Sequence, residues 1–373
     1  MKNFILIIFI AFNINLSVAS EAPALHFALL TPGEAGDAFW SLNEDFAFAV
    51  AKDLGFKLTV FHGKSSKKHM LINLQKAADL GVDAVIFSNT EAVAAQFIAK
   101  AEALQLPTLL FNADIGTEQS PNISDPQQHF KYWLASLMPD DYQAGYLLAK
   151  SLIKQAKLKS LTNEQGIIEV VAINGSIGNG PSTQRLAGLQ AAVQEEEGSK
   201  IVQVVYAEWE QEKAIYQTKR LNQRYPQAKV FWAASDLMAI GVYLALEEQG
   251  LQQGKDYLTG GIDWTTQGLD ALEKDIISTS VGGHFMDAGW ATIILYDYFK
   301  GFTFSDSHLN QSLSQYQYQS QFMVITQSNV KALLEQLNKK NWADINFRHY
   351  SKFHNKQLNR YLLNPKLILK IDR

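Results

Sequence analysis

The sequence contains no cysteine among its 373 residues. Disulfide bonds are therefore excluded, and the stability of the fold must come from packing. The sequence also lacks an excess of basic residues, because 33 lysines and arginines stand against 37 acidic residues and give a formal charge of −4. This balance provides no electrostatic footprint for nucleic acid. We therefore expect a protein that does not bind nucleic acid.

Motifs of common enzyme and nucleotide sites are also missing. Neither a G-x-S-x-G nucleophile elbow nor an H-E-x-x-H zinc helix occurs, and His62 and His69 have no obvious co-ligands. The glycine cluster from Gly175 to Gly180 has the order G-x-x-G-x-G, which is not the dinucleotide fingerprint, and no P-loop lysine follows it. We interpret the cluster as a tight turn, and we expect no enzyme activity, no cofactor and no metal.

Long apolar runs are absent after residue 20. The run from Phe4 to Val18 follows Lys2 and precedes the small residues Ala19 and Ser20. It contains two asparagines and is shorter than the roughly 20 apolar residues that span a bilayer. The pattern is typical of a secretory signal peptide that is cleaved after Ser20. We predict a periplasmic protein whose mature chain is free of the membrane and has a formal charge of −5.

The remaining chain alternates strand-like runs with helical patterns. The strand-like runs lie at 25–31, 56–61, 83–88 and 107–112 in the first half, and at 167–174, 200–207, 228–233 and 257–262 in the second. Gly55, Gly81 and Gly250 are predicted to end helices before a strand begins. Strands that alternate with helices indicate βαβ units and parallel sheets. The predicted fold class is α/β, with two similar doubly wound parallel-sheet lobes.

Polar and aromatic residues follow several predicted strands, where parallel sheets place ligand-binding groups. These residues are Asp37, Phe39 and Trp40 after the first strand, Asn112 after the fourth, and Trp209, Ser235 and Asp263 in the second half. Arg185 lies one to two turns into the helix after the glycine cluster, so its side chain is expected to project toward the same opening. The sequence therefore predicts a cleft between the two halves that contains a positive charge.

Five segments, in their order and spacing, resemble the type I periplasmic binding proteins, in particular the ribose-binding and autoinducer-receptor group. They are residues 36–40, 110–112, 182–188, 233–241 and 260–263, and the resemblance covers roughly residues 25–326. It implies two lobes joined by three crossing strands, with a small polar, sugar-like ligand between them. The implied first lobe comprises 21–113 and about 284–325, and the second comprises 114–283. Ligand binding would close the hinge.

The resemblance also implies a role for each candidate. The implied stacking residues are Phe39, Trp40 and Trp209, and the implied hydroxyl-orienting residues are Asp37, Asn112 and Asp263. Arg185 would donate two or more hydrogen bonds to ligand oxygens. Ser235 stands where many of the resembled receptors have a larger polar residue.

Two positions depart from the resembled receptors. Where the ribose receptors have an acidic residue followed by arginine, this chain has Asn112 and Ala113. The autoinducer receptors share the asparagine, but they have an arginine near the third crossing, where this chain has Gly282, Gly283 and His284. Ribose is therefore not the expected ligand. We predict that His284 replaces the arginine as a donor and makes a pH-sensitive contact.

Several candidates have a purely structural alternative. Asp37 and Asp263 could cap the helices that follow them, and Trp209, like Trp264, could belong to a lobe core. Arg185 could be a surface arginine. One ring of the neighbouring aromatic pair at 39 and 40 is expected to pack inward. Asp236 is interpreted as the N-cap of its helix and is left out of the site.

The C-terminal extension, residues 326–373, has ten basic and three acidic residues and a net charge of +7. Such a charge could serve an anionic membrane surface or an acidic patch on a partner. Its aromatic content favours a cap that wraps a lobe, because a disordered tail contains few aromatics. The aromatic residues are Trp342, Phe347, Tyr350, Phe353 and Tyr361.

A closed receptor of the resembled type has two kinds of membrane partner. We expect it to present its ligand to an ABC permease; the alternative is docking on a sensor such as a histidine kinase or chemoreceptor. We expect the receptor to be monomeric. A periplasmic enzyme on this scaffold would turn its ligand over, and a cytoplasmic repressor would have a helix-turn-helix where this chain has its apolar run.

Overall fold

A computed structural model of the chain describes residues 24–115, 125–304, 313–338 and 341–369. The predicted signal peptide lies outside these ranges. None of the helices within them combines the length and the apolar composition that a membrane crossing requires.

Strands and helices alternate along the chain. The first series is β1 (His26–Thr31), α1 (Ala38–Leu54), β2 (Lys57–His62), α2 (Lys67–Asp79), β3 (Ala84–Ser88), α3 (Ala94–Ala103), β4 (Thr108–Phe111) and β5 (Trp133–Pro139). The second is α4 (Asp141–Leu158), β6 (Ile168–Asn174), α5 (Gly180–Glu195), β7 (Ser199–Tyr206), α6 (Gln211–Arg224), β8 (Val230–Ala233), α7 (Asp236–Glu247), β9 (Leu258–Ile262), α8 (Thr266–Glu273) and β10 (Thr279–Gly282). The last is a 3₁₀ turn (His284–Met286), α9 (Asp287–Phe299), β11 (Gln317–Ser320), β12 (Met323–Thr326), α10 (Val330–Asn338), two 3₁₀ turns (Asn341–Asp344 and Phe347–Tyr350) and α11 (Pro365–Ile368).

The strands form two six-stranded sheets, one in each lobe. The first has the order β11-β5-β4-β3-β1-β2, and all its neighbours are parallel. The second has the order β12-β10-β9-β8-β6-β7, with only β12 antiparallel to its neighbour. The inner strands are buried throughout because helices cover both faces, which explains their continuous apolar runs. The predicted fold class is confirmed.

The strand register brings the carboxyl ends of the first sheet to one edge. Thr31, the last residue of β1, pairs with His62, the last residue of β2. Helices return to the opposite edge through left-handed glycines, with φ of 75° at Gly55, 70° at Gly81 and 79° at Gly250. The predicted helix-ending role of these glycines is confirmed, because only glycine adopts this conformation without strain.

The chain crosses between the lobes three times. The first crossing follows β5, the second is at Gly283 between β10 and α9, and the third is at Gln321 and Phe322 between β11 and β12. The lobe limits taken from the sequence differ from this in two places. β5 belongs to the first lobe although the limit was set at residue 113, and β12 joins the second sheet although the first lobe was extended to 325. Local sequence patterns do not reveal which sheet a strand joins.

The C-terminal extension packs against both lobes. α10 lies on α8 of the second lobe, where Val330 and Leu333 are fully buried. Trp342 and Phe347 then pack edge-to-face on Phe46 of α1 in the first lobe, with ring centroids 5.2 and 5.3 Å away. In its described part the extension is thus a cap, as its aromatic content indicated.

Candidate ligand-binding cleft

A cavity of about 420 Å³ lies where the carboxyl ends of the two sheets face each other. This volume is in the range of small-molecule sites. The structure brings all nine predicted residues to its walls: Asp37, Phe39, Trp40, Asn112, Arg185, Trp209, Ser235, Asp263 and His284.

Phe39 and Trp40 form the aromatic wall of the first lobe. Their half-buried rings meet edge-to-face with centroids 5.1 Å apart. The Phe39 ring lies 4.6 Å from that of His284, and the Trp40 ring lies 6.0 Å from that of Phe111. Asp37 caps α1 by accepting from both backbone N–H groups of the pair at 3.0 Å. We expected one of the two rings to pack inward, but both line the cavity. Trp40 also contacts the buried Phe111, and this is the only part of the expectation that the two rings meet.

Arg185 is 4% exposed and stands at the centre of a buried charge network. Its Nε donates to Asp141 Oδ1 at 2.7 Å, and its Nη1 donates to the Ala234 carbonyl at 2.7 Å and to Asp263 Oδ1 at 3.1 Å. Its Cζ lies 5.7 Å from the centre of the Trp209 ring. The N–H of Nε and both N–H groups of Nη1 are thus held by the protein, and Nη2 lies 3.5 Å from His284 Nε2. The hydrogen bonds that Arg185 was predicted to donate to the ligand would therefore come from Nη2.

Asp141 is a member of this network that the sequence analysis missed. It begins α4, directly after the first crossing, and is almost completely buried. Its neighbour Asp140 is the helix cap and accepts the Gln143 N–H at 2.9 Å. Burial raises the pKa of Asp141, while the Arg185 guanidinium opposes that rise. The only signal in the sequence was a pair of acids at a helix start, of which one suffices as a cap.

His284 forms the back wall of the cavity and is 1% exposed. Its ring lies between those of Phe39 and Phe322, at 4.6 and 4.8 Å. Its Nε2 lies 3.5 Å from both Arg185 Nη2 and Asp263 Oδ1, whereas its Nδ1 has no hydrogen-bond partner among the described residues. Burial lowers the pKa of His284 below its ordinary 6.5, although Asp263 opposes this. The sequence suggested that His284 is a protonated donor near pH 7, whereas the lowered pKa favours a neutral ring at that pH.

Three cleft residues have backbone conformations that residues other than glycine rarely adopt. The φ angle is 66° at Asn112, 66° at Trp209 and 133° at Asp263. Such strain persists only where surrounding contacts impose it, and it concentrates at ligand-binding sites. The Trp209 ring also depends on Gly175, because a Cβ there would collide with it. Trp264, with φ 57°, is fully buried and belongs to the lobe core.

Ser235, and not Asp236, caps α7, because its Oγ accepts the N–H three residues on at 3.3 Å. The interpretation of Asp236 as the N-cap is therefore wrong. The fully buried Asp236 carboxyl accepts from Ser280 Oγ at 2.6 Å and from the Thr265 N–H at 3.1 Å, so it ties α7 to β10 and to the turn after β9. Burial raises the pKa of Asp236 to about 7, and the nearby Asp263 carboxylate adds to the rise.

Other polar residues of the cavity wall were not predicted: Ser65, Ser88, Asn89, Asn179 and Gln267. Ser88 is 1% exposed, and its Oγ has no hydrogen-bond partner among the described residues. It ends β3, so the search at strand ends that found Asn112 after β4 could have found it as well.

The two lobes touch across the mouth of the cleft. Asp114, which follows β4, faces Gly180, the first residue of α5. A Cβ on Gly180 would lie 2.5 Å from Asp114 Oδ1. The Asp114 carbonyl in turn accepts from Asn89 Nδ2 at 2.6 Å. A carboxylate beside a helix N-terminus is favourable, so this contact favours the close approach of the two lobes at this point.

The cavity has no net positive charge. Arg185 is the sole lysine or arginine among the described residues that line it, and both Asp141 and Asp263 balance its charge. Within the described ranges, no cluster of three or more histidine or acidic side chains is arranged to hold a metal ion. The walls therefore offer aromatic faces and neutral or acidic hydrogen-bonding groups.

Known proteins share this architecture. The family described as periplasmic binding protein domain matches residues 27–301. The galactofuranose-binding protein YtfQ of Escherichia coli (strain K12) is 22% identical over 60% of this chain and 67% of its own length. The D-apiose import binding protein of Paraburkholderia graminis is 24% identical over 68% and 74%, respectively.

The solved structure of a periplasmic sugar-binding protein from Pseudomonas fluorescens has a TM-score of 0.77 and 26% identity to this chain, and the match covers 92% of this chain and 99% of that one. The family match extends over more than half of the sequence and includes strands of both sheets. The chain therefore belongs to the type I periplasmic binding proteins.

Proposed function

We propose that this protein is a periplasmic receptor that closes around a neutral sugar and presents it to an ABC permease. The observation that carries the proposal is the cavity between the lobes, with aromatic rings on both walls and one cation that is already paired with carboxylates. The relatives named above bind galactofuranose and D-apiose or are described as sugar-binding. The family consists of binding proteins, and we propose no catalytic step.

Recognition would divide between the two kinds of wall. The rings of Phe39, Trp40 and Trp209 would cover the C–H faces of a sugar and exclude water. Polar groups would replace the hydrogen bonds that the hydroxyls lose, because an unpaired buried polar group costs about 1–3 kcal/mol. The free Ser88 Oγ and the His284 Nδ1 are groups that a hydroxyl would satisfy. Deoxy sugars that leave them unpaired would be rejected.

Closure would follow from the division of the site between lobes. Phe39, Ser88 and Asn112 belong to the first lobe, whereas Arg185 and Asp263 belong to the second. A ligand held by one lobe gains the contacts of the other only in the closed form, so it shifts the equilibrium toward closure.

The test is calorimetric titration of the purified protein with neutral sugars, including galactofuranose and apiose, and with sugar acids. We expect at least one neutral sugar to bind and its uronic acid to bind at least about tenfold more weakly, because the described residues that line the cavity include no unpaired lysine or arginine to receive a carboxylate. Binding only of acids would contradict the proposal. The substitution Trp209→Ala should weaken binding of the neutral sugar. The substitution Tyr216→Ala, at an exposed ring on the neighbouring helix, should leave this affinity unchanged.

Export would rest on the first twenty residues, which we propose to be a cleaved signal peptide. Amino-terminal sequencing of protein from a periplasmic extract should begin at Glu21, and a chain that begins at Met1 would argue against cleavage. The permease assignment is tested separately by stimulation of permease ATPase activity with the loaded receptor. Activation of a sensor kinase without such stimulation would favour the sensing alternative.

A further inference from the structure

We propose that the C-terminal segment 363–369 positions the back wall of the ligand cavity by clamping the second and third crossings. This segment follows the part of the chain that forms the two sheets, and none of its described residues lines the cavity. Its effect on ligand binding would therefore be indirect. Only the measurement of ligand affinity described below rests on the proposed function.

The third crossing is held at two points. The Gln321 N–H donates to the Leu363 carbonyl at 3.0 Å, and Asn364 Nδ2 donates to Gln321 Oε1 at 2.6 Å. The other amide atom of Asn364, its Oδ1, accepts the Lys366 N–H at 2.9 Å and caps α11. Because both ends of the Asn364 amide are engaged, its orientation is fixed, and Gln321 is fixed with it.

The second crossing is held by shape. Gly283 has φ of 121°, a conformation that side chains rarely adopt, and a Cβ there would collide with the Pro365 ring. Pro365 therefore sits directly on the backbone of the crossing. The Ser320 Oγ also donates to Asp287 Oδ2 at 3.0 Å, which links the third crossing to the helix that follows the second. The two crossings and the C-terminal segment thus form one packed unit.

This unit adjoins the cavity through His284. Gly283 immediately precedes His284, and Gln321 immediately precedes Phe322, whose ring packs 4.8 Å from the histidine ring. The C-terminal segment thus contacts Gly283 and Gln321, which are the chain neighbours of His284 and of Phe322, the ring that packs on it. A shift of either crossing would move His284 relative to Arg185 and Asp263.

The segment is itself firmly anchored, since the preceding residues converge on one carboxylate of α9. Asp297 accepts from Ser351 Oγ at 2.5 Å, from the N–H groups of Lys352 and Phe353 at 2.6 and 3.2 Å, and from Tyr361 OH at 3.0 Å. With α10 packed on the second lobe, the extension joins both lobes behind the cleft. Hinge opening must move against this connection, so the clamp would also limit the opening.

The test compares Asn364→Asp with Asn355→Asp. Asn364→Asp keeps an oxygen to cap α11 but removes the amide donor to Gln321. Asn355 is a matched control, because its Nδ2 donates to the His349 carbonyl at 3.0 Å and its Oδ1 accepts the Gln357 N–H at 3.2 Å, away from both crossings. A third variant ends the chain after residue 362.

Two readouts separate the clamp from the ligand assignment. Since the chain has no cysteine, spin labels can be attached at Lys68→Cys in α2 and Glu212→Cys in α6, and the distance between the lobes measured without ligand. We expect Asn364→Asp and the truncated chain to give a broader and longer distribution than the control. A control-like distribution in both would overturn the clamp, whether or not a sugar binds.

The second readout is the affinity for the tightest neutral sugar of the panel, together with the imidazole nitrogen signals of His284. We expect Asn364→Asp to weaken binding by about tenfold, the scale of one lost hydrogen bond, and to shift the His284 signals. Unchanged affinity and unchanged signals would overturn the positioning role. Should the truncated chain fail to fold, the single substitution still decides the question.

Discussion

At the residue scale, the selectivity of the cleft depends on charges that are balanced before a ligand arrives. Arg185 comes from α5, Asp141 from α4 and Asp263 from the turn after β9. Removing one member of such a buried pair leaves an uncompensated charge, which is strongly destabilising. The network is therefore a fixed set of hydrogen-bonding groups, and the ligand meets groups that are already oriented.

A second buried carboxyl makes stability depend on pH. Asp236 has a pKa of about 7 in the folded protein and an ordinary value of 3.8. Because the folded state favours the protonated form, this contribution to stability is complete below pH 4 and is lost as the pH rises through about 7. We expect the free energy of unfolding from urea titrations at pH 5 to 8 to fall more steeply in the native protein than in Asp236→Asn.

The matched control is Asp275→Asn, at an exposed carboxyl in the same lobe. It should keep the pH slope of the native protein. Equal slopes in the native protein and Asp236→Asn would refute the assignment to Asp236. The comparison between variants also removes the contributions of other buried groups, such as Asp287, whose pKa burial raises well above 3.8.

Sequence reasoning found the cleft residues that follow strands and missed those placed by tertiary packing. Asn112 and Asp263 could be found because the end of a parallel strand has a defined position in the fold. Asp141 could not, because its role depends on how α4 packs against α5. Asp236 was misassigned for the same reason, since its partners Thr265 and Ser280 lie 29 and 44 residues away.

At the element scale, the N-terminus of α5 is the part of the second lobe that meets the first across the mouth. Gly180→Ala would place a Cβ 2.5 Å from Asp114 Oδ1. Alanine is otherwise the better helix former by up to about 1 kcal/mol. We expect the variant to keep its stability but to bind the sugar about fivefold more weakly, because closure is hindered. Calorimetry and thermal unfolding together check this.

Asp114→Ala approaches the same contact from the other lobe and should also weaken binding, through loss of a carboxylate near a helix N-terminus. Full affinity in both variants would show that the contact does not support closure.

The strands of the two lobes illustrate what local sequence patterns leave open. The strands before residue 113 were located from their apolar runs. The segments that form β5 and β12 were not identified as strands, and the predicted limits placed them in the wrong lobes because pairing between distant segments is not visible in a local pattern.

At the scale of the whole molecule, a ligand between the lobes should stabilise both. At a hundredfold excess over the dissociation constant, we expect a stabilisation of about 2.7 kcal/mol. Hydrogen exchange measured by mass spectrometry should show slower exchange of the amides of β3 in the first lobe and of β8 in the second. Protection confined to one lobe would mean that the sugar binds to a single wall, which the arrangement of the cavity does not predict.

The path of the chain through the two sheets also determines the order in which the protein can be assembled. Two elements of the first lobe come late in the chain: β11, the edge strand beside β5, and α9, which covers the first sheet. Both follow the five strands of the second sheet from β6 to β10. During synthesis or translocation from the amino terminus, the second lobe is therefore available in nearly complete form while the first still exposes an unpaired strand and an apolar face. Unpaired edges of this kind invite aggregation. The first sheet, although it starts the chain, therefore stays open at this edge until five of the six strands of the second sheet have been made.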